Sequence, residues 1–273
     1  MGISYSPLRY PGGKNQIYNT VRSIIEDNHL RGCHYVEPFA GGAGIAIRLL
    51  FEGIVEEITI NDFDKAIYSF WSSVVYRTDE FVCLIEKTPI TIEEWHRQKA
   101  IYINADRHTT LDLGFATFFL NRTNRSGILK AGPIGGFSQT GNYSIDCRFN
   151  KLNLISLIER ISTQKDKIHI CNMDAKLLIK SFENSSSFFF IDPPYYKKGK
   201  QLYTNFFEHD DHETLARTIE SSLKDTPWII TYDICDEIKN IYSNRAANIL
   251  ALNYSLQRKK RAEEFIFYNK LTV

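Results

Sequence analysis

The sequence predicts an α/β protein built on a doubly wound, mostly parallel sheet, with an inserted helical and hairpin region. Three observations carry this. The segment His34–Phe39 leads at once into Gly41, Gly42 and Gly44 and then the apolar run Ile45–Phe51, which reads as strand, glycine turn and helix. Ser187–Ile191 is an unbroken apolar run of the kind buried on both faces of a sheet, with Asp192 at its carboxyl end. Between Asn121 and Asn150 the α/β alternation stops, and Gly127, Gly132, Pro133, Gly135, Gly136 and Gly141 punctuate polar and basic residues, as in a hairpin or a long binding loop.

The remaining elements follow in order. Glu57–Ile60 alternates as a second strand ending at Asn61 and Asp62, and Ala66–Tyr76 carries apolar residues at helical spacing. Residues 78–121 read as helix in three pieces. After the insertion, Lys167–Cys171 is a strand, a helix starts at Ala175, and a polar loop spans Lys197–Phe207. A helix from about Asp210, a strand at Trp228–Tyr232 and two final strands near Ala247–Tyr254 and Glu264–Tyr268 complete the chain.

At 273 residues the chain can bury one sizeable core and a smaller appended region. Its 43% hydrophobic and 24% charged content is globular, and no apolar run approaches the roughly 18 residues of a membrane helix. With no export or acylation signal at the start, a soluble, cytoplasmic protein is expected. Cys33, Cys83, Cys147, Cys171 and Cys235 form no C-x-x-C pair, which argues against disulfides or a zinc knuckle. Net charge is +1, yet residues 115–151 hold Arg122, Arg125, Lys130, Arg148 and Lys151 against Asp146 alone. That local excess suits a phosphate backbone; a solvated loop is the competing reading.

In a doubly wound sheet, ligands sit outside the carboxyl ends of the strands. The small residues Phe39–Gly44 let backbone N–H groups approach a ligand at a helix N-terminus, although a tight structural turn would use them equally. Asp62 follows at the distance where an acid accepts hydrogen bonds from ribose hydroxyls. Asp64 competes for that role, a helix N-cap is open to both, and Glu37 either faces the ligand or bonds loop amides. Together they describe a nucleoside site.

Asp192-Pro193-Pro194-Tyr195 is the most specific string in the chain, because two prolines directly after a buried strand fix an extended backbone and its carbonyl directions. The exocyclic amine of adenine is a poor nucleophile, its lone pair being delocalised into the ring. The Asp192 carboxylate and the Pro193 carbonyl can accept its two N–H bonds and draw the nitrogen toward tetrahedral geometry, while Tyr195 offers a ring face to an extruded base.

With these motifs in this order, the chain resembles the Dam-type (D12 class, alpha group) DNA adenine-N6 methyltransferases. Arg9-Tyr10-Pro11-Gly12-Gly13-Lys14 is similar to the family's first donor-binding motif, Glu37-Pro38-Phe39 with its glycines to the next, and Asp192–Tyr195 matches the catalytic motif letter for letter. The resemblance implies a Rossmann-like methyltransferase fold that takes S-adenosyl-L-methionine, releases S-adenosyl-L-homocysteine and acts on adenine N6 in double-stranded DNA. It implies that Tyr10, Lys14, Glu37, Phe39, Gly41, Gly44 and Asp62 border the donor and that Asp192 lies between donor and base. Asp174 would meet the donor's adenine, or else cap the following helix. Residues 1–76 with 165–273 would form the catalytic domain, and 77–164 the target-recognition domain.

Within Phe119–Asn150, Arg122, Arg125 and Arg148 are candidates for phosphate or guanine contacts, and Asn121, Asn124 and Gln139 for adenine edges. The wording of this hairpin departs from that of GATC-methylating relatives. Lys197, Lys198 and Lys200, and Arg258-Lys259-Lys260-Arg261 between the last two strands, could touch DNA or be solvated charge. His209-Asp210-Asp211-His212-Glu213 has metal-like letters but reads as an acid-rich first helical turn, and methyl transfer needs no metal. A monomer is expected, with a cognate restriction endonuclease as a candidate partner. A nicotinamide oxidoreductase leaves Asp192–Tyr195 without a role; an RNA or protein methyltransferase, or an inactive DNA-binding relative, remains the alternative.

Overall fold

The computed structural model describes residues 5–9, 17–182, 186–197, 207–256 and 258–273, and for 251–262 the backbone alone. Seven strands form one sheet: β1 His34–Glu37, β2 Glu57–Asn61, β3 Ile168–Cys171, β4 Ser187–Ile191, β5 Trp228–Asp233, β6 Ala247–Leu256 and β7 Arg258–Asn269. Their order is β3-β2-β1-β4-β5-β7-β6. β1 runs parallel to β2 and β4, β4 parallel to β5, and β7 antiparallel to both β5 and β6. The chain reverses direction across the sheet between β1 and β4, the switch point at which such folds hold their ligands.

Ten α-helices are among the described residues: α1 Tyr18–Asp27, α2 Gly44–Phe51, α3 Lys65–Tyr76, α4 Thr78–Lys87, α5 Ile92–Ile103, α6 Thr110–Thr123, α7 Lys151–Ser162, α8 Ala175–Ser181, α9 His209–Ser222 and α10 Asp236–Ile241. The chain divides into two compact units. One holds Lys65–Ile170 with residues 5–9, and the other residues 17–64 with the described residues of Cys171–Val273.

In the second unit the sheet core is apolar on both faces, as the run at β4 predicts: every residue of Ser187–Ile191 is buried. Leu215 and Ile219 from α9, with Leu223 just after it, pack with Phe189, Ile191, Ile230 and Tyr232, and each such burial contributes about 1.5–3 kcal/mol. The other unit is helical. α6 is buried on all sides from Leu113 to Asn121, and Phe70, Phe81, Phe115, Phe118 and Phe149 meet there edge to face or stacked. α3 and α6 approach so closely that a Cβ on Gly114 would lie 2.4 Å from the Ser69 carbonyl oxygen.

The sequence does not announce α1, α7 or α10. α7 begins at a side-chain cap, the Asn150 carboxamide oxygen accepting from Asn153 N–H at 3.0 Å. The hairpin expected within Phe119–Asn150 takes another form. α6 continues to Thr123, and a long loop follows with one isolated bridge, Asn124 to Pro133, and a 3₁₀ turn at Arg125–Gly127. Left-handed backbone at Ser126, Gly127, Gly135, Gly136 and Gln139 keeps turning the chain, which no ladder tolerates.

Candidate active site

The glycine turn after β1 has Gly41 at φ +48° and Ala43 at φ +43°, left-handed positions that bring the chain sharply round into α2. Gly44 is the first residue of that helix. Gly41 N–H donates to one Asp62 carboxylate oxygen at 2.9 Å, and Asp64 N–H donates to the other at 2.9 Å. The structure thus joins the turn to Asp62 and gives Asp64 a supporting backbone contact. Burial pushes the Asp62 carboxyl up to about 7, and the neighbouring Asp64 charge pushes the same way, against the two amide N–H bonds that favour the carboxylate.

Asn61, missed by the sequence reading, organises three loops. It is fully buried; its amide donates to the carbonyls of Pro38 at 2.9 Å and Met173 at 3.1 Å, and its oxygen accepts from Met173 N–H at 2.9 Å. The segments leaving β1, β2 and β3 are pinned together by one carboxamide. Glu37 is buried at the end of β1 and accepts from the Tyr35 hydroxyl at 2.9 Å. Phe39 packs edge to face on Phe207. Asp174 caps α8, accepting from Lys176 N–H at 2.7 Å, so the helix-cap alternative describes its observed contact. Tyr10, Lys14, Lys198 and Lys200 lie outside the described residues.

Asp192 emerges from β4 beside β5, where the buried Thr231 hydroxyl donates to its carboxylate at 2.7 Å. Pro193 and Pro194 are buried. Tyr195 is only 8% exposed, and its hydroxyl donates to Glu264 on β7 at 2.5 Å. It is therefore a buried anchor of the tetrapeptide in place of the open stacking face expected. Immediately downstream, the N–H groups of Tyr196 and Lys197 donate to the two Asp233 carboxylate oxygens at 2.9 and 3.0 Å. Asp233 ends β5, so the rule that sites gather at carboxyl ends could have flagged it; Glu264 depends on a long-range antiparallel pairing that no local pattern reveals.

On the far side of β5, His212 is buried on α9, with Nδ1 2.9 Å from the Tyr232 hydroxyl. Desolvation lowers its pKa to about 4, keeping it neutral. His209–Glu213 opens α9, and Glu208 and Asp211 form a capping box there. Arg258–Arg261 belong to β7 rather than to a loop between strands, because the β6–β7 ladder closes down to Leu256 opposite Arg258.

In the helical unit, Asn121 and Asn124 are buried and committed internally. The Asn121 carboxamide bonds the backbone of Arg9 and the Gly127 carbonyl. Asn124 accepts from the Trp95 indole at 2.6 Å and donates to the carbonyls of Ile128 and Leu129. The expectation that Asn124 reads a base edge gives way to a role in shaping the loop. Gln139 is spent likewise on Ile134, Gly136 and Ile145. Arg122 donates to the Pro7 carbonyl at 2.6 Å, and burial, with Arg9 nearby, lowers its pKa to about 10. Arg125 and Arg148 are exposed. Arg9 is lowered by burial and then by Arg148, so these cations share one positive field.

The family model for D12 class N6 adenine-specific DNA methyltransferase matches residues 10–257. A curated relative, "Type II methyltransferase M.MjaIII" of Methanocaldococcus jannaschii, is 25% identical over 228 residues, which is 77% of each chain. Among solved structures, protein LPL1258 from Legionella pneumophila aligns with 94% of this chain and 84% of its own at 11% identity, with a TM-score of 0.36, too slight a likeness to bear on function.

Proposed function

Because the chain belongs to the D12 class N6 adenine-specific DNA methyltransferase family, we propose that it methylates adenine N6 at a specific site in double-stranded DNA, with S-adenosyl-L-methionine as donor. The observation that carries the reading is Asp192-Pro193-Pro194-Tyr195 held at the carboxyl end of β4, beside the turn joined to Asp62. When bound, the donor supplies a methyl group activated by its sulfonium charge.

The residues present suit that donor. Asp62 offers carboxylate oxygens to ribose hydroxyls, and the left-handed turn at Gly41 and Ala43 presents small residues and backbone at the start of α2. Glu37, Phe39, Gly44 and Asp174 surround the same ends of the sheet, and Tyr10 and Lys14 complete the donor set implied by the resemblance. A base inside a duplex cannot reach Asp192, so the target adenine is extruded first. The Asp192 carboxylate accepts one amine N–H and the Pro193 carbonyl the other, which frees the nitrogen lone pair from the ring. The methylated nitrogen is acidic enough for the carboxylate to take its proton. Within the expected 77–164 domain, exposed Arg125 and Arg148 supply the DNA contact, with half-buried Arg122 adding charge.

A cognate restriction endonuclease would make this the protective half of a pair, as the type II designation of the relative suggests. The test is sequencing that detects N6-methyladenine on DNA from a methylation-deficient host expressing the chain. Methylated adenine at one sequence, absent with Asp192→Ala, is the expected result; unmodified DNA in the presence of folded protein refutes the proposal, and methylated cytosine redirects it.

A further inference from the structure

Three side chains hold the catalytic loop from one face of the sheet. Thr231 and Asp233 are two apart on β5 and share that face, and Glu264 stands directly opposite Asp233 in the β5–β7 ladder. Two acids facing each other across an antiparallel pair repel and are normally avoided. Here each accepts a hydrogen bond from the loop. Glu264, 3% exposed, takes the Tyr195 hydroxyl, and Asp233 takes the consecutive N–H groups of Tyr196 and Lys197.

We infer that Asp233 and Glu264 are paired positioning residues that set the direction of the Pro193 carbonyl and the Asp192 carboxylate for methyl transfer. The inference rests on the methyl-transfer reading above. The prolines make the tetrapeptide stiff, so it moves as a piece whose orientation is decided at its ends. Upstream the end is β4. Downstream it is the anchoring of Tyr195, Tyr196 and Lys197 to these two carboxylates. Hydrogen bonds to charged acceptors are the stronger kind, and an error of about 1 Å at reacting atoms costs on the order of 100-fold in rate.

The experiment compares Asp233→Ala, Asp233→Asn and Glu264→Gln with the parent protein, on the duplex identified by methylation sequencing. It measures kcat with labelled donor, donor and duplex affinities by calorimetry, and hydrogen exchange at the Tyr196 and Lys197 amides. For Asp233→Ala, kcat should fall ~10- to 100-fold, with both affinities within ~3-fold of the parent and both amides exchanging faster. Asp233→Asn, which keeps one acceptor, should recover part of the rate. Glu264→Gln should lower kcat without exposing those amides. An unchanged kcat, a loss carried by donor affinity, or amides that stay protected would overturn the inference. If the parent protein leaves adenine unmodified, the methyl-transfer reading fails, and amide exchange still decides whether the carboxylate holds the loop.

Discussion

Replacing Asp62 by asparagine should make the protein more stable at alkaline pH while weakening donor binding. Burial lifts this carboxyl from its ordinary 3.8 to about 7. Between those values the unfolded chain is ionised and the folded chain protonated, so the folded state binds more protons and stability falls as pH rises. Above pH 7 the full penalty is present, up to ~4 kcal/mol from the size of the displacement; solvent reaching the half-buried side chain trims it to ~2 kcal/mol. Asparagine carries no charge but can accept from only one of the Gly41 and Asp64 amides comfortably, at a cost of about 1 kcal/mol at every pH. The variant should therefore be less stable than the parent near pH 4 and more stable by ~1 kcal/mol at pH 8. Urea denaturation of both proteins across that range, at constant ionic strength, reads the difference directly. Taking the difference cancels His212, whose pKa of about 4 acts in the opposite sense, its stabilisation being lost as pH falls from 6.5 toward 4. A difference that does not change with pH, or that favours the parent increasingly as pH rises, refutes the account of a desolvated carboxylate.

Donor affinity should weaken as pH falls below about 7, because ribose hydroxyls need the ionised Asp62; calorimetry in buffers of different ionisation enthalpy should find proton release on binding near pH 6. Gly114→Ala should destabilise by ~1–3 kcal/mol even though alanine favours helices by about 1 kcal/mol, since its Cβ would sit 2.4 Å from the Ser69 oxygen; a raised urea midpoint would contradict the close α3–α6 crossing. Asn124→Ala should cost ~1–3 kcal/mol by leaving the Trp95 indole unpaired. Arg125→Ala and Arg148→Ala, both at exposed sites, should leave the midpoint unchanged but weaken duplex binding and lower its salt slope by about 1 each. A salt slope that moves with Asn124→Ala and not with the arginines would reverse these assignments.

The sheet was legible wherever burial writes itself into composition. β4 reads as a strand because four consecutive apolar residues, Phe188 to Ile191, follow Ser187, and the turn after β1 reads as a turn because small residues best tolerate its backbone. Chain order also indicated that the glycine turn, Asp62 and Asp192 would meet at the carboxyl ends of neighbouring strands, as they do. What escaped depends on partners distant in sequence. Asn61 looks like a strand terminus until Pro38 and Met173 are placed around it, and Glu264 looks like an exposed strand acid until β7 is seen to pair with β5. The insertion misled in a different way. Its asparagines and glutamine have the chemistry of base readers, but the glycine-rich loop leaves many backbone groups without ladder partners, and those side chains satisfy them.

Asn61 also bears on the chemical lifetime of the protein. Asparagine residues age by attack of the following backbone nitrogen on the side-chain carbonyl, which converts the amide to an acid. At Asn61 that nitrogen belongs to Asp62 and donates to the Cys171 carbonyl at 3.3 Å, while the strand holds the dihedral extended and the side chain is shut from water. Were conversion to occur, the new oxygen would face the carbonyls of Pro38 and Met173 and place a second carboxylate next to Asp62. The strand that places Asn61 among the three loops thus also shields it from this reaction, and conditions that loosen β2 should start a slow, irreversible loss of the contacts that gather those loops.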